Sequence, residues 1–204
     1  LESTGTVHWI DTELHAADNL RMTVLAQMTV ASGSIQVAGI LDGSGSYKRF
    51  HLTVKRDNNA SYLAASLGAN ESTTSEQRTK LQVNMGWNML TMDAANLTQA
   101  VNDNSMAISK GGSLPTASTI WLFGRNGDSS RSGAPMRIAD AVLYEGGVKM
   151  HEYVPCRRKA DGVLGMYDAV GKRFLPKSDS AEGGFLAGPD LNGARQTGFT
   201  FLLK

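Results

Sequence analysis

The chain has 204 residues, 41% of them hydrophobic, with 22 glycines and 19% charged side chains, a balance that excludes disorder and fits one all-β domain of roughly 200 to 250 residues. Twenty Lys and Arg stand against 19 Asp and Glu, a formal charge of +1, too weak a field to gather nucleic acid or an anionic membrane. The single cysteine, Cys156, excludes an intramolecular disulfide or a Cys-rich metal cluster, and no apolar run reaches the ~18 residues of a membrane-spanning helix, so no membrane insertion is expected.

Strand-like patterning begins at residues 7–12, close behind a first residue that is neither Met nor part of a leader, and the expectation is a segment of a longer chain. Period-2 patterning then dominates, with Arg21, Thr23 and Gln27 interleaved among Met22, Val24, Met28 and Val30, as a half-buried strand requires. Similar runs predict strands at 35–41, 47–54, 61–67, 78–85 and 88–93, separated by turn-formers at 31–34, 42–46, 57–59 and 68–75. Gly43-Ser44-Gly45 lacks the third glycine and the following helix of a dinucleotide loop, and reads as a hairpin turn.

The alanines of 93–101 would suit a short helix, but Asn102-Asp103-Asn104 followed by Met106 and Ile108 favours a hairpin. Further strands are predicted at 119–125, 136–145, 148–154, 164–168, 173–175 and 198–203. Roughly a dozen strands, no long amphipathic helix and no fixed repeat imply an all-β fold of two packed antiparallel sheets forming one domain over 1–204.

Two groups of motifs carry a family resemblance. Ser3-Thr4-Gly5-Thr6 with Trp9-Ile10-Asp11-Thr12 resembles the opening of bacterial and phage-associated concanavalin A-like, laminin G-like domains. The ordered series Leu122-Phe123-Gly124-Arg125-Asn126-Gly127, Met136-Arg137-Ile138, Val154-Pro155-Cys156-Arg157, Gly165-Met166-Tyr167-Asp168, Phe174-Leu175 and Gly188-Pro189 is similar to the rest of that family's pattern. The resemblance implies a two-sheet jelly-roll sandwich of the concanavalin A-like lectin/glucanase superfamily. It also implies an extracellular or cell-surface setting, with relatives that bind glycans, mediate adhesion or serve as accessory modules. Glu13 stands where the family has Gly, and His8-Trp9 where it has a polar-Tyr pair.

The motif residues have structural readings of their own. Gly165 permits close backbone approach, Tyr167 offers an amphipathic ring, Pro155 stops a strand, and Asp168 accepts backbone hydrogen bonds at the turn that follows it.

Catalytic signatures are sparse. Paired-carboxylate hydrolysis on a jelly roll uses Glu-x-Asp-x-Glu on one strand, which is absent. Asp11 and Glu13 would share a strand face, while Asp140 and Glu145 would lie on opposite faces. There is no Gly-x-Ser-x-Gly elbow, and Cys156 reads as a partly buried, inert thiol beside the solvated basic turn of Arg157, Arg158 and Lys159. His8, His15, His51 and His151 show no ligand spacing, and Asp128 with Asn126 offers too few oxygens for calcium. The expectation is no catalytic residue, no metal and no cofactor.

Binding has better candidates. Arg125, Asn126, Asp128 and Arg131 occupy a polar loop, Trp9 and Trp87 offer stacking surfaces, and Trp121 reads as core. An Asn-Gly-Asp loop is also what a tight turn needs. The sequence therefore reads as a non-catalytic, lectin-like binding or adhesion module directed at a glycan or a surface protein. The alternative is a structural spacer, and a glycoside hydrolase ranks third.

Overall fold

The computed structural model describes residues 1–3, 8–30, 33–42, 48–57, 60–71, 74–127, 135–178 and 185–186. The first half contributes β1 (Glu2–Ser3), β2 (Ile10–Asp11), β3 (Leu20–Met28), β4 (Ser34–Asp42), β5 (Lys48–Asp57), β6 (Ala60–Gly68), β7 (Asn70–Glu71) and a short helix α1 (Ser75–Lys80). β8 (Trp87–Asp93), β9 (Thr98–Val101), β10 (Asn104–Ala107), β11 (Lys110–Gly111) and β12 (Trp121–Leu122) follow. The second half adds β13 (Met136–Glu145), β14 (Val148–Arg157), β15 (Leu164–Asp168) and β16 (Arg173–Pro176).

These strands form two sheets. A nine-stranded sheet runs β10-β9-β8-β3-β13-β14-β15-β16 with β1 beside β13, and a seven-stranded sheet runs β11-β6-β5-β4-β12-β2 with β7 beside β6. Each sheet turns one set of alternating side chains inward: Leu20, Met22, Val24, Ala26 and Met28 of β3 from one, Phe50, Leu52 and Val54 of β5 from the other, all in a single core cluster. This is the arrangement of a β-sandwich. The expectation of wholly antiparallel sheets is corrected at one edge, where β11 lies parallel to β6; β11 follows β10 of the other sheet, so it arrives by a crossover and not by a hairpin.

The hairpin expected after residue 93 forms as β8, β9 and β10, with the Asp93 carboxylate accepting from the Asn96 backbone and side-chain amides at 3.0 and 2.8 Å. The strand expected at 78–85 does not. Thr74 and Gln77 make a reciprocal capping box that starts α1, with Thr74 N–H donating to Gln77 Oε1 at 2.7 Å. Leu81 and Val83 then lie along the edge of β6, where Leu63 N–H donates to the Leu81 carbonyl at 2.9 Å and Val83 N–H to the Ser61 carbonyl at 2.8 Å. Their burial gives this segment the alternation of a strand.

The strand expected at 119–125 contracts to Trp121–Leu122, because Phe123 takes a left-handed φ of 64° and leaves the extended conformation. Pro155 does not stop a strand: β14 continues through it to Arg157. Beyond Tyr153, β14 pairs only with β15, so the missing N–H falls where one side carries no ladder. Residues 43–45 and 198–203 lie outside the described residues; β4 and β5, which flank the former, are antiparallel partners.

Candidate binding face

In β5, Phe50, Leu52 and Val54 point into the core, so Arg49, His51, Thr53 and Lys55 belong to the opposite face of the seven-stranded sheet. Register extends His51 into a row of cross-strand partners: Ser66, His51, Gly39, Trp121 and Asp11. Gly39 is required at the centre. Its φ is +144°, and a Cβ there would collide with the His51 Cβ and the Phe50 carbonyl oxygen.

This outward face is largely buried. Ser66, His51 and Thr53 are each 1% exposed. Thr53 Oγ1 donates to Gln36 Oε1 at 2.8 Å. Ser66 Oγ, both His51 ring nitrogens and Trp121 Nε1 are buried with no hydrogen-bond partner among the described residues. Burial holds the His51 imidazole well below the usual histidine range, and the positive charges of Arg125, Arg49 and Lys55 push it in the same direction. His51 is therefore neutral at pH 7, with one nitrogen a donor and the other an acceptor.

At the end of the row, the Trp9 and Trp121 rings stack with centroids 4.2 Å apart and planes 10° from parallel. Trp121 is only half-buried, which corrects its reading as core. It sits on a two-residue strand between β4 and β2, on the face away from Leu122, which is fully buried.

The predicted binding residues thus separate. Trp9 and Arg125 belong to this face, the first through its stack and the second through its charge on His51. Asn126 lies beside it in a parallel bridge to Ile40, and its side-chain amide donates to the Thr119 carbonyl at 3.0 Å, which commits it to holding the loop. Asp128 and Arg131 lie outside the described residues. Trp87 is on β8 of the other sheet, opposite Gln27 and two residues from the exposed Met89.

A second polar cluster surrounds Asp168. Its Oδ1 accepts from the backbone N–H groups of Gly171, Val170 and Glu152 at 3.0, 3.2 and 3.3 Å, and its Oδ2 lies 2.6 Å from His151 Nδ1. Burial alone would raise this carboxyl, but the Gly171 N–H, the His151 ring and the Glu152 N–H together outweigh it and hold the group below its usual range. His151 stacks on Tyr153, with centroids 5.7 Å apart and planes 2° from parallel. The arrangement braces β14 against the β15–β16 turn.

The carboxylates expected to share a strand face do not. Glu13 has left the strand at φ +62°, its N–H donates to Asp11 Oδ1 at 2.8 Å, and its carboxylate pairs with Arg173. This left-handed backbone is one that glycine adopts most readily. Cys156 is half-buried, and burial pushes its thiol up. Arg158 is bidentate to Asp161 and lies over the Phe174 ring at 4.9 Å, so the basic run is tied to its own turn.

Among the described residues no three His, Cys, Asp or Glu side chains converge as a metal site, and no helix is long and apolar enough to cross a membrane. No protein-family model and no curated protein matches the chain.

Sequence reasoning missed His51, Ser66 and the outward place of Trp121. Alternation in 47–54 assigns His51 to the polar side of its strand, but the burial of that side depends on Gly39 and Ser66, which only register brings to it.

Proposed function

We propose that the chain is a non-catalytic carbohydrate-binding module of concanavalin A-like jelly-roll type, belonging to a secreted or surface protein. The observation that carries this is the stacked Trp9–Trp121 pair on the outward face of the seven-stranded sheet, in the strand row that runs from Trp121 to His51. Indole faces stack against the C–H faces of sugar rings, and adjacent donors fix the hydroxyl groups. The ordered motifs from Leu122 to Phe174 support the fold type, and the two-sheet architecture is the one it requires.

The competing reading is a structural spacer. It draws support from Asn126, whose amide is occupied by Thr119. A glycan array probed with wild type, Trp9→Ala and Trp87→Ala separates the two. The binding reading expects hits that weaken by about tenfold or more, ~1.4 kcal/mol, in Trp9→Ala and persist in Trp87→Ala. A blank array favours the spacer, and loss confined to Trp87→Ala moves the site to the nine-stranded sheet.

A further inference from the structure

Gln36 of β4 and Thr53 of β5 are cross-strand partners beside the register shift between Gln36 and Ala38, and Thr53 Oγ1 donates to Gln36 Oε1 at 2.8 Å. A hydroxyl nucleophile thus rests against a carboxamide, with the electrophilic Cδ one bond beyond the contact. Gln36 is 6% exposed and Thr53 1%, so bulk water is kept from both.

A base stands on the same face. His51 precedes Thr53 by two residues on β5, a Cα separation of about 7 Å along a strand, and strand side chains lean along the strand direction. The His51 imidazole is neutral, and neither ring nitrogen has a hydrogen-bond partner among the described residues. Keeping both nitrogens idle in a buried ring is costly. The unprotonated one can accept the Thr53 proton once the hydroxyl hydrogen turns away from Gln36.

We propose that Thr53 and Gln36 react to form an intramolecular ester that locks β4 to β5. Thr53 Oγ1 attacks Gln36 Cδ while His51 takes the hydroxyl proton, giving a tetrahedral adduct. The Cδ–Nε2 bond then breaks, His51 passes the proton to the departing nitrogen, and ammonia leaves. One hydroxyl and one carboxamide become one ester and one ammonia. The bond lies where the hairpin gains from it. β4 ends at Asp42 and β5 begins at Lys48, whereas Gln36 and Thr53 meet towards the opposite ends of both strands, close to the last pair, Ser34 with Lys55. Strands part most readily at such ends, and the ester ties them there while its burial shields it from hydrolysis.

Mass spectrometry of the whole purified chain tests this. The proposal expects an intact mass below that of the sequence by one ammonia. After tryptic digestion it expects one branched peptide joining residues 22–48, which carry Gln36, to residues 50–55, which carry Thr53. Hydroxylamine, which cleaves esters, separates the two. Thr53→Ala and Gln36→Ala each keep their own full sequence mass. A succinimide at Asn126-Gly127 or Asn192-Gly193 loses the same ammonia but leaves the two peptides unlinked, and that result overturns the proposal. His51→Leu, verified as folded by a thermal melt, should form the link about a hundredfold or more slowly; an unchanged rate overturns the role given to His51. Full sequence mass in the wild type, with the two peptides separate, overturns the proposal whether or not the His51 variant folds.

Discussion

Asp168 shows how one side chain in a recognisable motif serves the fold. A turn-forming Asp after a strand is legible in Gly165-Met166-Tyr167-Asp168; two of the backbone donors it accepts, Val170 and Gly171, belong to that turn, and the third, Glu152, lies on β14. Its partner His151 is less legible, since the two are 17 residues apart and meet only because Tyr153 is the register partner of Asp168. Because the native carboxyl titrates below its unfolded value of about 3.9, its contribution is complete above that pH and is lost as pH falls through the native value. Urea denaturation should show Asp168→Ala destabilised by roughly 3 kcal/mol at pH 7, with the difference from wild type narrowing in acid. Gly39 makes the opposite demand, for no side chain at all. Gly39→Ala, placing a Cβ against His51 and the Phe50 carbonyl, should cost at least ~2 kcal/mol by the same assay; an unchanged midpoint would show that β4 and β5 can part there.

Individual elements separate what local pattern can reveal from what register decides. β3 follows period-2 alternation because it has one core face, whereas β13 breaks step at the register shift between Ile138 and Asp140, after which Ala141 and Leu143 take over its core side. Segment 78–85 misleads, since Leu81 and Val83 are buried by an irregular run along β6 while the residues before them are wound into α1. The capping box of Thr74 and Gln77 was the available signal for the helix. Thr74→Ala should lower stability by ~1 kcal/mol, measured by thermal or urea unfolding, and no change would mean that packing of Gln77 beneath β6 suffices. Pro155 teaches a related lesson. Proline ends a strand only where its N–H is needed, and the segment after Tyr153 has a partner on one side alone.

For the whole molecule, alternation and turn residues made the all-β class legible, but they could not assign strands to sheets. That assignment decides which candidate residues share a surface. It unites Trp9 with Trp121, and it sends Trp87 to the other sheet. The outward face of the seven-stranded sheet is unusual in burying polar side chains where a sandwich normally exposes them. Hydrogen–deuterium exchange of the intact chain, with and without a saturating amount of the glycan ranked first on the array, addresses this most directly. A binding face on the seven-stranded sheet requires slowed exchange in peptides covering Ile10–Asp11, Lys48–Asp57 and Trp121–Leu122, with Trp87–Asp93 unchanged. Protection confined to Trp87–Asp93 and its neighbours would contradict it.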